Sequence, residues 1–249
     1  MPIQYADYTR WQRGWLQGDV LARQLAYWTG QLRGLPELVL PTDRPAPAIA
    51  TFRGARRFFT IDADIVAGAE ELAKRADTTV FMVFQGLMGR YSGQTDFPVG
   101  VPIANRARRE TEGLIGFFVN TLVLRADLSG DPSFRQLLAR VREASLAAFE
   151  HQDLPFERLV GELGVTRRPD RTLVFQVLLS LENTPRPSVR LAGLTAEAIP
   201  LVPAVARNDL SLLLRIDDAA RIAGAWEYAT DLFDAATVDA LSRRFLHLL

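Results

Sequence analysis

The sequence predicts a mixed α/β fold of the α+β kind, a mixed β-sheet with helices packed on it. Three observations predict it. Helix-period and strand-period segments alternate early in the chain, and strand segments run together late. The stretch Ile115–Leu124, read IGFFVNTLVL, alternates from Phe118 onward, with Phe118, Asn120, Leu122 and Leu124 on one side and Val119, Thr121, Val123 and Arg125 on the other. That period of two, with β-branched and aromatic residues, reads as a strand, and its two apolar faces place it inside a covered sheet. Finally, 48 % of the 249 residues are hydrophobic, enough for the core of one large domain or two small ones.

The elements follow in order. Residues 5–33 read as helix, because Tyr8, Trp11, Trp15, Leu21, Leu25, Trp28 and Leu32 recur at helical spacing. Gly18-Asp19 is a candidate break, and three tryptophans imply a large buried face. The Pro-rich stretch 36–47 should run extended over a surface. Arg56–Ile61 reads as a strand and Asp64–Ala76 as a helix. Thr78 or Thr79 is a candidate cap for a second helix through Tyr91 that is apolar nearly all round and therefore buried. Phe97–Ile103 is a strand whose Pro98 and Pro102 suggest an edge or a bulge. A polar loop, NRARRETEG, leads from it to the central strand. Ser133–Phe149 is an amphipathic helix with Asp131 or Ser133 as cap, and Phe156–Leu163 is a short helix. Leu173–Leu181 reads as a second buried strand and Asn183–Leu191 as a Pro-rich loop. Strands at Ala196–Ile199, Leu210–Ile216 and Ala223–Ala229 precede a last helix, Ala235–Leu248.

Composition excludes several functions. Basic and acidic residues number 29 each, so no overall field favours nucleic acid or an anionic membrane. The absence of cysteine excludes disulfides, thiolate metal sites and cysteine nucleophiles. No apolar run approaches the roughly 20 residues of a membrane span. The start MPIQYADYTRW lacks the charged and apolar regions of a signal peptide, which makes a cytoplasmic protein the expectation. The chain contains no P-loop, GxGxxG, HExxH or GxSxG pattern, and no clustered metal-ligand spacing. No metal is expected.

Only His151 and His247 could serve as an imidazole base. His151 lies in HQDLPFE, between two helices and beside Asp153. It could be a base oriented by a carboxylate, but His151 and Asp153 more simply cap and lock the corner while Leu154 and Phe156 plug the core. His247 suits the C-terminal end of the last helix dipole. Asn120, on an apolar strand, needs a structural hydrogen-bond partner or lines a channel. Arg106, Arg108 and Arg109 are solvated loop charges, or one of them pairs with a buried carboxylate.

Three segments together carry a resemblance: Tyr5–Gln12 (YADYTRWQ), Ile115–Leu122 (IGFFVNTL) with Arg125, and His151–Glu157 (HQDLPFE) followed by Arg158-Leu159-Val160. In this order they resemble core motifs of the condensation domains of nonribosomal peptide synthetases. A fourth motif is damaged. Arg167, Arg171 and Phe175-Gln176-Val177 match it, while Arg168 stands where aspartate is usual and Thr172-Leu173 replace Asn-Pro. Asn208-Asp209-Leu210 resembles the family's Phe-Asp-Leu.

The resemblance implies a chloramphenicol-acetyltransferase-like fold in two lobes around a tunnel. It also implies amide-bond formation between acyl or peptidyl and aminoacyl thioesters. Both substrates ride on the phosphopantetheine arms of carrier domains, and no cofactor is bound directly. The family's HHxxxDG motif has no match here, so the resemblance implies residues 1–249 as the C-terminal lobe alone, with no catalytic residue of its own. On that reading 1–34 is the entry helix, 105–114 the tunnel floor loop and 183–191 the latch. Arg106 would pair with the missing motif's aspartate. Arg106, Asn120, Arg125, His151, Asp153, Arg167 and Arg171 are structural or tunnel-lining candidates. The partners are the missing N-terminal lobe, carrier domains and an adjacent adenylation domain, with no nucleic acid or membrane. The alternatives are a non-catalytic platform docking carrier or adenylation domains and, more remotely, a free-standing acyltransferase using His151.

Overall fold

The computed structural model describes residues 3–76, 81–164, 174–182, 202–216 and 221–249. Six strands form one mixed sheet in the order β1-β6-β5-β4-β2-β3. In chain order they are β1 (Gly54–Ile61), β2 (Asp96–Ile103), β3 (Asn120–Asp127), β4 (Val177–Glu182), β5 (Leu210–Ile216) and β6 (Ile222–Ala229). The β4–β5 and β2–β4 pairs are parallel, and the other pairs are antiparallel. Seven helices are described: α1 (Tyr5–Trp15), α2 (Gly18–Gln31), α3 (Ala63–Ala76), α4 (Phe81–Ser92), α5 (Phe134–Glu150), α6 (Phe156–Glu162) and α7 (Ala235–Leu248). Helix α4 packs against both α5 and α7, which in turn lie on β3 and on β1 and β6. Helix α6 packs on β3, and α2 packs on α6.

Two aromatic residues of α4 and α7 lock that layer to the sheet. Trp226 of β6 is fully buried, stacked on Phe84 of α4 at 6.0 Å and edge-on to Phe245 of α7 at 5.8 Å. Such pairs add to the stabilisation from burying their large apolar surfaces. Helix α5 begins at Ser133, whose hydroxyl and backbone N–H exchange hydrogen bonds with the backbone and side chain of Gln136. This reciprocal arrangement satisfies donors that a helix start otherwise leaves open.

The extended segment before β1 is held by side chains that imitate a strand partner. Gln94 accepts from the Val39 N–H at 2.7 Å and donates to the Glu37 carbonyl at 3.0 Å, while Gln176 accepts from the Leu38 N–H at 3.2 Å. Leu38 and Leu40, held by these anchors, enter the core.

Several expectations need correction. The segment 5–33 does divide into two helices at the candidate break, where Gly18 takes φ +52°, but its burial differs from expectation. Trp28 is buried, but α1 has no buried residue, so Trp11 and Trp15 stack on each other at 5.3 Å in a half-exposed row. Ile115–Val119 is not strand, and among the described strands β3 lies at the sheet's edge rather than in its interior. Helices over its faces bury Leu122, Val123 and Leu124, and so mimic the pattern of a central strand. Conversely, β2 is interior despite its prolines. Proline has no N–H to donate, and the parallel ladder to β4 closes at one position only, Gly100 with Leu178, between Pro98 and Pro102. Strand β4 starts at Val177 rather than Leu173. Phe134 and Phe149 of the α5 stripe, and Leu248 of α7, are exposed. The candidate caps Thr78 and Thr79, the Ala196–Ile199 strand and the 183–191 loop lie outside the described residues.

Gly100 is required where it stands. A Cβ there would overlap the Phe175 ring. Gly161 of α6, by contrast, faces open space. Gly100→Ala should therefore destabilise the fold by about 1–3 kcal/mol through overpacking, and Gly161→Ala should stabilise it by up to about 1 kcal/mol. Urea denaturation of the two variants checks the opposite signs.

Candidate functional site

The three sequence motifs, more than a hundred residues apart at their extremes, meet at one open cleft of about 140 Å³. Tyr5, Tyr8 and Gln12 of α1 form one wall, and Phe117, Phe118, Val119 and Asn120 form a second. Asp153 and Pro155 of the corner before α6, Glu157 of its first turn, and Asn105 complete it.

Asn120 holds these walls together. Its Nδ2 donates to the carbonyls of Gln152 at 2.8 Å and Leu154 at 2.9 Å. Its Oδ1 accepts from the N–H groups of Thr121 at 2.9 Å and Phe156 at 3.0 Å. Two donor and two acceptor positions are thus filled on a residue only 7 % exposed.

Phe118 is the second anchor. Tyr5 meets its buried ring edge-on at 5.1 Å, Tyr8 packs at 4.8 Å, and the Arg106 guanidinium lies 4.2 Å from its centroid. The Tyr5 hydroxyl donates to the Phe117 carbonyl at 2.7 Å, and a side chain at Gly116 would overlap the Tyr5 ring. Beyond Phe118, Ile115, Phe117 and Val119 point their apolar side chains outward, at 97 %, 74 % and 51 % exposure.

The candidate residues fall into distinct settings. Arg106 donates to the carbonyls of Thr111 and Glu112 and has no carboxylate partner among the described residues. Arg108 lies 4.0 Å over the Trp11 ring and near Asp153. Arg125 is remote from the cleft. It forms a bidentate pair with Asp96 at 2.7 and 2.6 Å and donates to the carbonyls of Gln31 and Arg33. His151 ends α5. Its ring stacks flat on Tyr27 at 4.0 Å, its Nδ1 bonds the Ala147 carbonyl, and its own carbonyl accepts from Trp28 Nε1 at 2.8 Å. His151 does not line the cleft. Arg167 and Arg171 lie outside the described residues. His247 is exposed near the end of α7.

Burial pushes the Asp153 carboxyl above its ordinary value, and Arg108 partly opposes that shift. Burial, then the Asp153 charge, push the Tyr8 phenol upward, so it stays a neutral donor. The cleft therefore offers phenols, an amide and carboxylates, with no imidazole. Sequence reasoning did not single out Tyr5, Tyr8, Phe118 and Gly116 as site residues. The aromatic spacing in YADY and the glycine before two phenylalanines were the available signals. Among the described residues no group of side chains could hold a metal ion, and no helix is long and apolar enough to cross a membrane.

Comparison with known proteins places this arrangement. The family model described as "Condensation domain" matches residues 1–249. The chain is 46 % identical to a linear gramicidin synthase of Brevibacillus parabrevis and 43 % identical to the isonitrile lipopeptide synthase of Mycobacterium tuberculosis. All of this chain is covered in both cases, but only 3 % and 10 % of those relatives' lengths. Among solved structures, the X-domain from teicoplanin biosynthesis aligns with a TM-score of 0.88 at 30 % identity, covering 99 % of this chain and 58 % of that one. The condensation domain of the monacolin K polyketide synthase shares the fold, with a TM-score of 0.84 at 18 % identity, over 98 % of this chain and 60 % of that one.

Two predictions test the site. Asn120→Ala would leave two carbonyls and the Phe156 N–H unpaired and should cost about 3 kcal/mol or more, on the order of one net hydrogen bond each plus desolvation. Urea titration measures this. A carboxyl whose folded-state pKa is raised contributes stability below its unfolded pKa and loses it as pH rises through the folded pKa. Asp153→Asn should therefore stabilise the chain at neutral pH, and the gain should vanish below about pH 4. Denaturation of parent and variant at both pH values reads the difference.

Proposed function

Because the chain belongs to the condensation-domain family, we propose that it forms the C-terminal lobe of such a domain, the half that shapes the reaction chamber without supplying its base. The family reaction joins an aminoacyl amine to the carbonyl of an acyl or peptidyl thioester. A C–N bond forms, the C–S bond breaks, the amine loses a proton and the carrier's thiol is released. Condensation is the general activity of the family; the lobe assignment, the substrates and the partners are our proposal for this chain.

The observation that carries it is the convergence of the three motifs on one solvent-open cleft. Its outer margin is the apolar row Ile115, Phe117 and Val119. Contiguous exposed apolar side chains mark surfaces that another body covers. Here that body is the lobe bearing HHxxxDG, a motif with no match among these 249 residues.

On this reading the chain orients and encloses the reactants, which by itself contributes substantially to rate. The Asn120 network holds the corner that faces the substrates, and Tyr5 and Tyr8 brace Phe118 beneath the apolar row. The loop 105–114, with Thr111 buried and its Oγ donating to the Arg108 carbonyl at 2.6 Å, serves as the tunnel floor. Arg106 is half-buried and lacks a carboxylate partner among the described residues, so it can receive the aspartate of the missing motif across the lobe boundary. The proton-handling imidazole comes from that motif. His151 is engaged by Tyr27 and the Ala147 carbonyl and takes no part. The reactants arrive on phosphopantetheine arms of carrier domains, and an adenylation domain is the neighbour.

The test is complementation. The chain is combined, in cis or in trans, with an N-terminal lobe carrying HHxxxDG and with two carriers verified as loaded. Amide product should form with the pair and not with the chain alone. Arg106→Ala should slow the complemented reaction on the order of tenfold or more by loosening the active-site turn. Failure of the complemented pair with loaded carriers overturns the reading, and carrier binding without turnover supports a docking platform instead.

A further inference from the structure

A larger cavity, about 640 Å³, lies between α2 and α5 beside the Asp96–Arg125 pair. It shares no lining residue with the motif cleft. Its size is that of small-molecule sites. Gln85 of α4 lines it while only 3 % exposed, and its amide makes no hydrogen bond with any described residue. Its polar atoms are not among the sealed, unpaired ones and so open on the cavity, and an uncommitted amide facing a cavity is a ready contact for a ligand.

The other lining groups restrict the ligand's chemistry. Both guanidinium groups are already engaged: Arg125 with Asp96 and two carbonyls, and Arg140 with the Asp127 and Ser129 carbonyls at 3.2 and 2.8 Å and the Asp127 carboxylate at 3.6 Å. No uncommitted cation remains among them to hold an anion. The Glu143 carboxylate, by contrast, is in no ion pair or hydrogen bond with the described residues. The side-chain amide of Gln31 and the hydroxyl of Tyr27 are also open. Val141, Ala144 and Ala147 supply an apolar strip along α5.

We infer that this cavity binds a small amine-bearing ligand. Its ammonium pairs with Glu143, its amide or hydroxyl groups meet Gln85, Gln31 and Tyr27, and its methylene chain lies along Val141, Ala144 and Ala147. This site is independent of the condensation reading, because it uses none of the motif residues that line the cleft.

The test titrates the full chain with lysinamide, and with succinate as the anionic control, by isothermal calorimetry. Lysinamide should bind saturably in the millimolar range or better, weakening with added salt, and succinate should not bind. Gln85→Leu removes the open amide at similar volume. It should weaken lysinamide on the order of tenfold while leaving the melting temperature unchanged or raised, an outcome that a purely structural glutamine would not give. Glu143→Gln, a surface change, should weaken binding several-fold and abolish its salt dependence. The site is refuted if lysinamide gives no saturable heat, if succinate binds equally, or if Glu143→Gln and a folded Gln85→Leu both bind like the parent.

Discussion

The arrangement of the motif cleft depends on one saturated side chain. Asn120 sits at the first position of an edge strand and bonds three backbone groups of the α5–α6 corner and one of its own strand. Any residue that kept the apolar pattern there would leave those groups unpaired in a buried setting, where each missing bond costs about 1–3 kcal/mol. No aliphatic replacement supplies two donors and two acceptors in that fork. The corner's own residues reinforce the arrangement, since Trp28 donates to the His151 carbonyl and Leu154 fills the core beneath. The asparagine thus converts a helix–helix turn into a fixed wall.

Much of the fold was legible because period and punctuation agree. The Leu210–Ile216 strand and the Ala235–Leu248 helix fall where alternation and helical spacing put them. Gly18 also divides the first helical stretch as its position suggests. The failures have a common physical source. Ile115–Val119 reads as strand because its residues are β-formers, yet the Tyr5 hydroxyl takes the Phe117 carbonyl and the Tyr5 ring occupies the space beside Gly116. Burial of β3 was visible, but its place at the edge was not, because helices on its faces give it the composition of an interior strand. Proline in β2 suggested an edge or a bulge, and a strand order set by long-range pairing puts it in the interior.

The site was legible as motifs rather than as geometry. The Arg125–Asp96 pair joins residues whose partnership has no local signature, and so does the Arg106 guanidinium on Phe118. Gln85 could not be found from sequence at all, since a glutamine in an apolar helix is equally compatible with a satisfied core amide. Only the cavity beside it and its lack of partners set it apart.

The single-position ladder between β2 and β4 divides the sheet into a two-stranded plate and a four-stranded plate. Between Pro98 and Pro102 side-chain packing also joins the two, Phe175 lying over Gly100. Packing tolerates small sliding better than a full row of directional backbone bonds does. The sheet therefore has a crease between the plate that carries Asn120 and the other four strands. The wall of the cleft is tied tightly within itself by the Asn120 bonds, and joined to the larger plate by fewer directional ones.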